Sequence, residues 1–245
     1  MTALLRSEAL KLRTLRSTWV FACLLTVLAG VIGVGQILAR EAGAPVPSLA
    51  QVALAPAQPA WFVIIVVAVL ASAGEFQHHT TRTTLLATPQ RLRVLAAKAI
   101  TGAGFGAGVV AASAVTAVLT AIMTQLITGA PISTGTPRDW AAAGGAVAVG
   151  AIWAVLATGL GMLTRNTAAS ITVILLWRFV GEILVPTLTR NPGLSRWTPS
   201  GAADALVGLG GGNTLPLAAA AAVLVGLTLL ICTTAGALFV RSDPA

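Results

Sequence analysis

Residues 61–110 read WFVIIVVAVLASAGEFQHHTTRTTLLATPQRLRVLAAKAITGAGFGAGVV. A run of apolar residues is interrupted at Glu75. A polar, basic stretch follows up to Lys98, and a second uncharged apolar run opens at Ala99. A bilayer core is crossed by about 20 apolar residues of helix. The two runs therefore read as consecutive membrane spans, and residues 74–98 as the loop between them. Thr88-Pro89 is a helix start, because Thr caps and Pro fits the first turn. The helix beginning there runs directly into the next span. The stretch Glu75–Leu86 is too polar for lipid and too short to fold alone, so it needs a partner surface.

The remaining chain extends this pattern. Apolar runs place six spans at about residues 18–39, 58–76, 99–127, 141–164, 166–185 and 216–240. The composition agrees: 56% hydrophobic residues, 9% charged residues and a mean hydropathy of +0.90. A soluble domain carries about 25% charge, and a disordered chain has low hydrophobicity, so both classes are excluded. The runs are continuous, whereas a membrane β-barrel alternates. The 245 residues allow one transmembrane domain over 1–245 and no attached soluble domain of ordinary size. Tyr is absent and Gly is abundant, with 25 residues, which suits helices that pack closely in lipid. The fold class is an all-α membrane protein of six transmembrane helices.

The net charge of +8 is explained by topology. Six spans put both termini on one side. With that side cytoplasmic, ten Lys and Arg residues lie inside and four outside, as the positive-inside rule requires. The expected location is the cell membrane, multi-pass, with cytoplasmic termini. No aromatic-studded basic patch offers base stacking, so nucleic acid is not an expected partner. Residues 3–16, carrying Arg6, Lys11, Arg13 and Arg16, read as an interfacial helix on the cytoplasmic leaflet, or as a simple positive anchor. Leu5, Ala9 and Leu12 share one face, and Leu10 breaks the pattern. Residues 186–216, with Pro186, Pro192, Pro199 and Pro216, read as an irregular or partly re-entrant external segment.

Chemistry-bearing residues are few. Neither lysine, Lys11 nor Lys98, stands in a phosphate-binding GxxxxGK[ST] loop. No HExxH or GxSxG is present, so no catalytic residue, cofactor-binding residue or metal ligand is assigned. The glycines of TGAGFGAG read as two i,i+4 packing pairs, Gly102/Gly106 and Gly104/Gly108. Cys23 and Cys232 read as small buried hydrophobes. Adjacent His78 and His79 point in different directions and lack a third ligand. They read as solvated or partner-facing loop residues. Arg178 and Glu182 are the only charges well inside a span. Arg178 lies about 16 Å along its helix at 1.5 Å per residue, near the midplane. Glu182 is one turn further, so the two read as an i,i+4 pair, either self-satisfied or lining a pathway.

The basic N-terminal helix, the loop GEFQHHTTRTTLLATPQRLRVLAAK, the tight turn TRNTAAS and the irregular segment before the last span together resemble the permease subunits of ABC-2 type transporters. The likeness is to the small permeases of bacterial drug exporters, and it covers essentially the whole chain. It implies a permease that pairs with a second copy or paralogue. Separate ATPase subunits would bind beneath it, and ATP and Mg would be held by those partners. Residues 3–16 would be the interfacial connecting helix. Glu75, His78, His79 and Arg82 would lie in the coupling helix that docks into the ATPase. The turn at Arg165-Asn166 would be a minor contact, and the external segment a cap or gate. Gln77 and His79 depart from the Arg and Gly often found there in the family. A secondary transporter and a non-transporting assembly or immunity subunit are the rival readings.

Overall fold

The computed structural model describes residues 1–39, 45–78, 80, 84, 86, 88, 90–209 and 214–241. Six helices among them are long and apolar enough to cross a membrane, so the chain is a multi-pass membrane protein. Helices are the expected answer to a lipid surrounding, because each backbone N–H and C=O is satisfied within its own segment.

Helix α1 spans Thr2–Thr14, and after a break at Leu15, α2 spans Arg16–Leu38. A short α3, Leu49–Leu54, leads through Pro56 into α4, Ala57–Gln77. Helix α5 runs from Arg91 to Thr128, longer than a bilayer core demands, and α6 from Pro137 to Thr164. Helix α7 covers Thr167–Leu188, but its middle turn, Trp177–Gly181, is π-helical. A 3₁₀ turn at Pro192–Trp197 and helix α8, Pro199–Leu206, precede α9, Leu217–Arg241. The segment after α7, read as irregular, is therefore helical at Pro192–Trp197 and Pro199–Leu206. The described start of α5 is Arg91, and the expected start at Pro89 lies outside the described residues.

Local sequence sets the boundaries. Ser48 with Gln51 and Thr136 with Asp139 form reciprocal capping boxes at the starts of α3 and α6. Gly129 ends α5 in the left-handed conformation, φ 68°. Ser48 and Ser133 form an isolated bridge that ties the α2–α3 and α5–α6 connections together. Six spans put both chain ends on one face of the bundle, here the terminal face.

Helix α6 is the centre. Of its most apolar window 67% is buried, and of the α3–α4 window 61%, against 11% for α7. Small residues let the neighbours approach. Gly106 of α5 lies against the Gly150 carbonyl and Ala154, and Gly150 lies against Val110. Gly102 meets Thr158. Gly104 and Gly108 face open space, so the second i,i+4 pair read from the sequence makes no helix contact in this chain. Cys232 is half-buried beside Gly159, but Cys23 is exposed. The buried residues of α2 are Thr18, Leu25, Ala29, Gly33 and Ile37, and Cys23 is not among them.

Candidate functional site

Two charged centres stand out among the described residues, one on the terminal face and one within α7. The first lies on the terminal face, where α1 brings Glu8 and Lys11, α4 ends with Glu75, and α5 supplies Lys98. Lys98 Nζ donates to Glu8 Oε2 at 2.8 Å and to Glu75 Oε1 at 2.6 Å. Lys11 Nζ donates to Glu8 Oε1 at 2.6 Å and to the same Glu75 Oε1 at 2.8 Å. Two ammonium groups and two carboxylates thus form a closed, charge-balanced ring. Glu8, Glu75 and Lys98 are buried, at 5%, 9% and 5% exposure. Charges at that depth persist only when paired and hydrogen-bonded.

The ring explains three local facts. Glu75 sits in the last turn of α4, where the helix dipole disfavours an anion, and two ammonium groups offset that. Helix α1 turns Leu5, Glu8 and Leu12 inward, while Ala9 and Leu10 are exposed. The packed face is therefore centred on a carboxylate, and the expected Leu5/Ala9/Leu12 face is corrected to that extent. Burial pushes the Glu8 carboxyl up, but Lys98 and Lys11 outweigh it and hold the group below the usual carboxylate range. Burial likewise opposes the charge on Lys11. Its hydrogen bonds to Glu75 and Glu8 override this and hold the amine above the usual lysine range.

The ring also reaches the α4–α5 connection. Lys11 Nζ donates to Thr84 Oγ1 at 3.3 Å, Thr84 Oγ1 donates to the Thr80 carbonyl at 3.2 Å, and Thr80 Oγ1 to the Glu75 carbonyl at 3.4 Å. The ends of neighbouring spans are tied beside it. Arg91 Nη1 donates to the Phe239 and Val240 carbonyls at the end of α9, and its guanidinium lies 5.9 Å over the Phe239 ring. Arg165 lies 5.4 Å over Phe76, and Thr167 Oγ1 donates to Gln77 Oε1 at 2.9 Å.

Of the residues read as a coupling element, Glu75 is in the ring and His78 is exposed at the end of α4. His79 and Arg82 lie outside the described residues. Of the cations in residues 3–16, Lys11 is half-buried in the ring, Arg6 and Arg13 of α1 are exposed, and Arg16, exposed too, opens α2. Glu8 and Lys98 were not singled out by sequence reasoning. One signal pointed to Lys98 and none to Glu8: the chain uses Lys only twice against thirteen Arg, and both lysines converge here.

The second centre is the intramembrane pair. Arg178 Nη1 donates to Glu182 Oε2 at 2.8 Å. The other carboxylate oxygen, Glu182 Oε1, accepts the backbone N–H of Ser200 at 3.1 Å. The pair therefore anchors α8, the helix of the irregular segment, to α7. Arg178 also lies 5.7 Å over the Phe62 ring, and Phe62 stacks on Phe179 with centroids 5.4 Å apart. Nearby, Gln58 Nε2 donates to Asp204 Oδ1 at 3.1 Å. Burial raises the Asp204 carboxyl above its usual range, although Arg178 and Gln58 pull the other way.

Compared with known protein families and curated proteins, the chain matches no family model and no curated sequence.

Proposed function

We propose that the chain is the permease subunit of an ATP-driven exporter of the ABC-2 type. It works as a dimer in the cell membrane with the terminal face cytoplasmic. The observation that carries this reading is the ring on that face. It fastens the N-terminal helix, the end of the second span and the third span to one another, and its Lys11 grips the 74–98 connection through Thr84. A partner docking on that connection pushes on a rigid node, and the displacement passes to α4 and α5 together. The anchoring of the opposite-face segment on Arg178 and Glu182 fits the matching role of a gate. The ten-to-four distribution of basic residues supports the orientation.

The test is purification of the full chain from its native host under mild detergent, followed by identification of retained proteins and assay of ATP hydrolysis. An associated subunit carrying a phosphate-binding loop, whose ATPase responds to Glu75→Gln, supports the reading. Transport in vesicles that continues with no ATPase bound, driven by an ion gradient, overturns it in favour of a secondary transporter. A chain with neither transport nor ATPase is a non-transporting membrane subunit.

A further inference from the structure

Between α4, α6, α7 and α9, beneath the segment 192–204, lies a cavity of about 450 Å³. That is the size range of sites for drug-sized molecules, and too small for a whole two-chain phospholipid. It is lined by one copy of the chain and is partly open. Four of the six tryptophans line it: Trp61, Trp153, Trp177 and Trp197. Its deeper end is aliphatic, with Ile65, Leu160 and Ile231, and its polar residues, Gln58, Arg178 and Ser200, gather toward the opposite face.

Two of the lining residues carry buried polar atoms that have no hydrogen-bond partner. They are the Trp153 indole N–H and the Ser200 hydroxyl, on side chains of residues 5% exposed each. By contrast, Trp61 satisfies its indole on the Ala146 carbonyl at 3.3 Å. A buried unmade hydrogen bond costs about 1–3 kcal/mol, so two on one cavity wall ask for a guest. The chemistry of the wall selects the guest. Among the described lining residues Trp153 and Arg178 only donate, the Ser200 hydroxyl and the Gln58 amide can do either, and no carboxylate is present. Glu182 already balances Arg178. The π-helical turn at Trp177–Gly181 presents both Trp177 and Arg178 to the space, and such turns recur at functional sites.

We propose that this cavity binds a neutral, drug-sized, aromatic or aliphatic amphiphile. Its polar end carries carbonyl or ether oxygens that accept from Trp153, Ser200 and Arg178. The site does not depend on the ATPase reading, and a chain that binds no ATPase keeps it.

The probe for the test is benzophenone, an apolar molecule with a single carbonyl acceptor that photolabels adjacent C–H bonds. The purified full-length chain in lipid nanodiscs is irradiated over a probe titration, and the adducts are mapped by peptide mass spectrometry. Saturable labelling of the α6, α7 and α9 cavity residues is expected. Ser200→Ala and Trp153→Phe, each removing one donor, are expected to weaken apparent affinity by about three- to ten-fold. Val223→Phe, which fills the space, abolishes saturable labelling, whereas Val27→Phe on the exposed face of α2 leaves it unchanged. The wild-type titration needs no folded variant: non-saturable labelling spread over exposed helix faces overturns the proposal. So does equal labelling in Ser200→Ala, Trp153→Phe and wild type. Extraction of one tightly retained phospholipid per chain, with no saturable probe site, assigns the space to bilayer lipid and also overturns it.

Discussion

At the residue scale, Lys98 has the most to lose. It is buried and held by two carboxylates from two different helices. Replacing it with Met leaves Glu8 and Glu75 sharing only the half-exposed Lys11. Removing one partner from a buried ion cluster costs about 3–5 kcal/mol. Lys98→Met should therefore lower the melting temperature of the detergent-solubilised protein far more than Arg13→Met on the exposed face of α1. The ring also sets a pH window. The depressed Glu8 carboxyl contributes stability above the ordinary carboxylate range, lost as pH falls through its folded value. The raised Lys11 amine contributes stability below the ordinary lysine range, lost as pH rises through its folded value. The melting temperature should be flat between those ranges and fall on both sides, and Glu8→Gln should flatten the acid limb. The pair at Arg178 and Glu182 follows the same logic but with a third party, the Ser200 amide. A double-mutant cycle with Arg178→Met and Glu182→Gln should return a coupling energy of about 0.5–3 kcal/mol. Additive losses would mean that Arg178 is held by another group.

At the scale of elements, glycine placement decides which helices touch. A Cβ at Gly150 would stand 2.6 Å from Val110 Cγ2, whereas one at Gly104 would meet nothing within 4 Å. Gly150→Ala should separate α5 from α6 and lower thermal stability. Gly104→Ala should be neutral, or stabilising by about 0.5–1 kcal/mol through helix entropy. Equal effects on melting temperature would show that the α5–α6 contact is elsewhere. The sequence pattern TGAGFGAG displayed all four glycines alike, because i,i+4 spacing identifies a face but not what lies opposite it. The same limit explains α1. Periodicity ranked its apolar residues and passed over Glu8, since a buried carboxylate becomes intelligible only when Lys98, 90 residues away, is seen beside it. The π turn in α7 was equally silent, having no sequence signature.

At the scale of the molecule, the spans were legible because lipid imposes length and apolarity on each helix independently of its neighbours. Among the described residues, six helices are long and apolar enough to cross a membrane, the number read from the sequence. The Arg178–Glu182 pair was legible from its i,i+4 spacing, whereas the Glu8–Lys11–Glu75–Lys98 ring and the Ser200 contact were not, because they depend on segments distant in sequence. Sidedness has a direct check. With Cys23 and Cys232 replaced, a single cysteine at Thr134 should react with an impermeant reagent added to intact cells, and one at Thr84 should not. The opposite pattern places the terminal face outside.

The closed ring gives α1 an unusual attachment. A basic helix held on a membrane by anionic lipid is released as salt rises, because at 1 M the Debye length shrinks to about 3 Å. The contacts of Glu8 and Lys98 lie inside the protein, where mobile ions do not reach them, and within 2.8 Å of each other. Helix α1 should therefore stay docked in concentrated salt, and residues 2–14 should resist protease there as they do in dilute buffer. The Lys98→Met protein should instead shed this protection as ionic strength increases. By this measure α1 is a bolted part of the bundle, although its composition reads like that of a peripheral anchor.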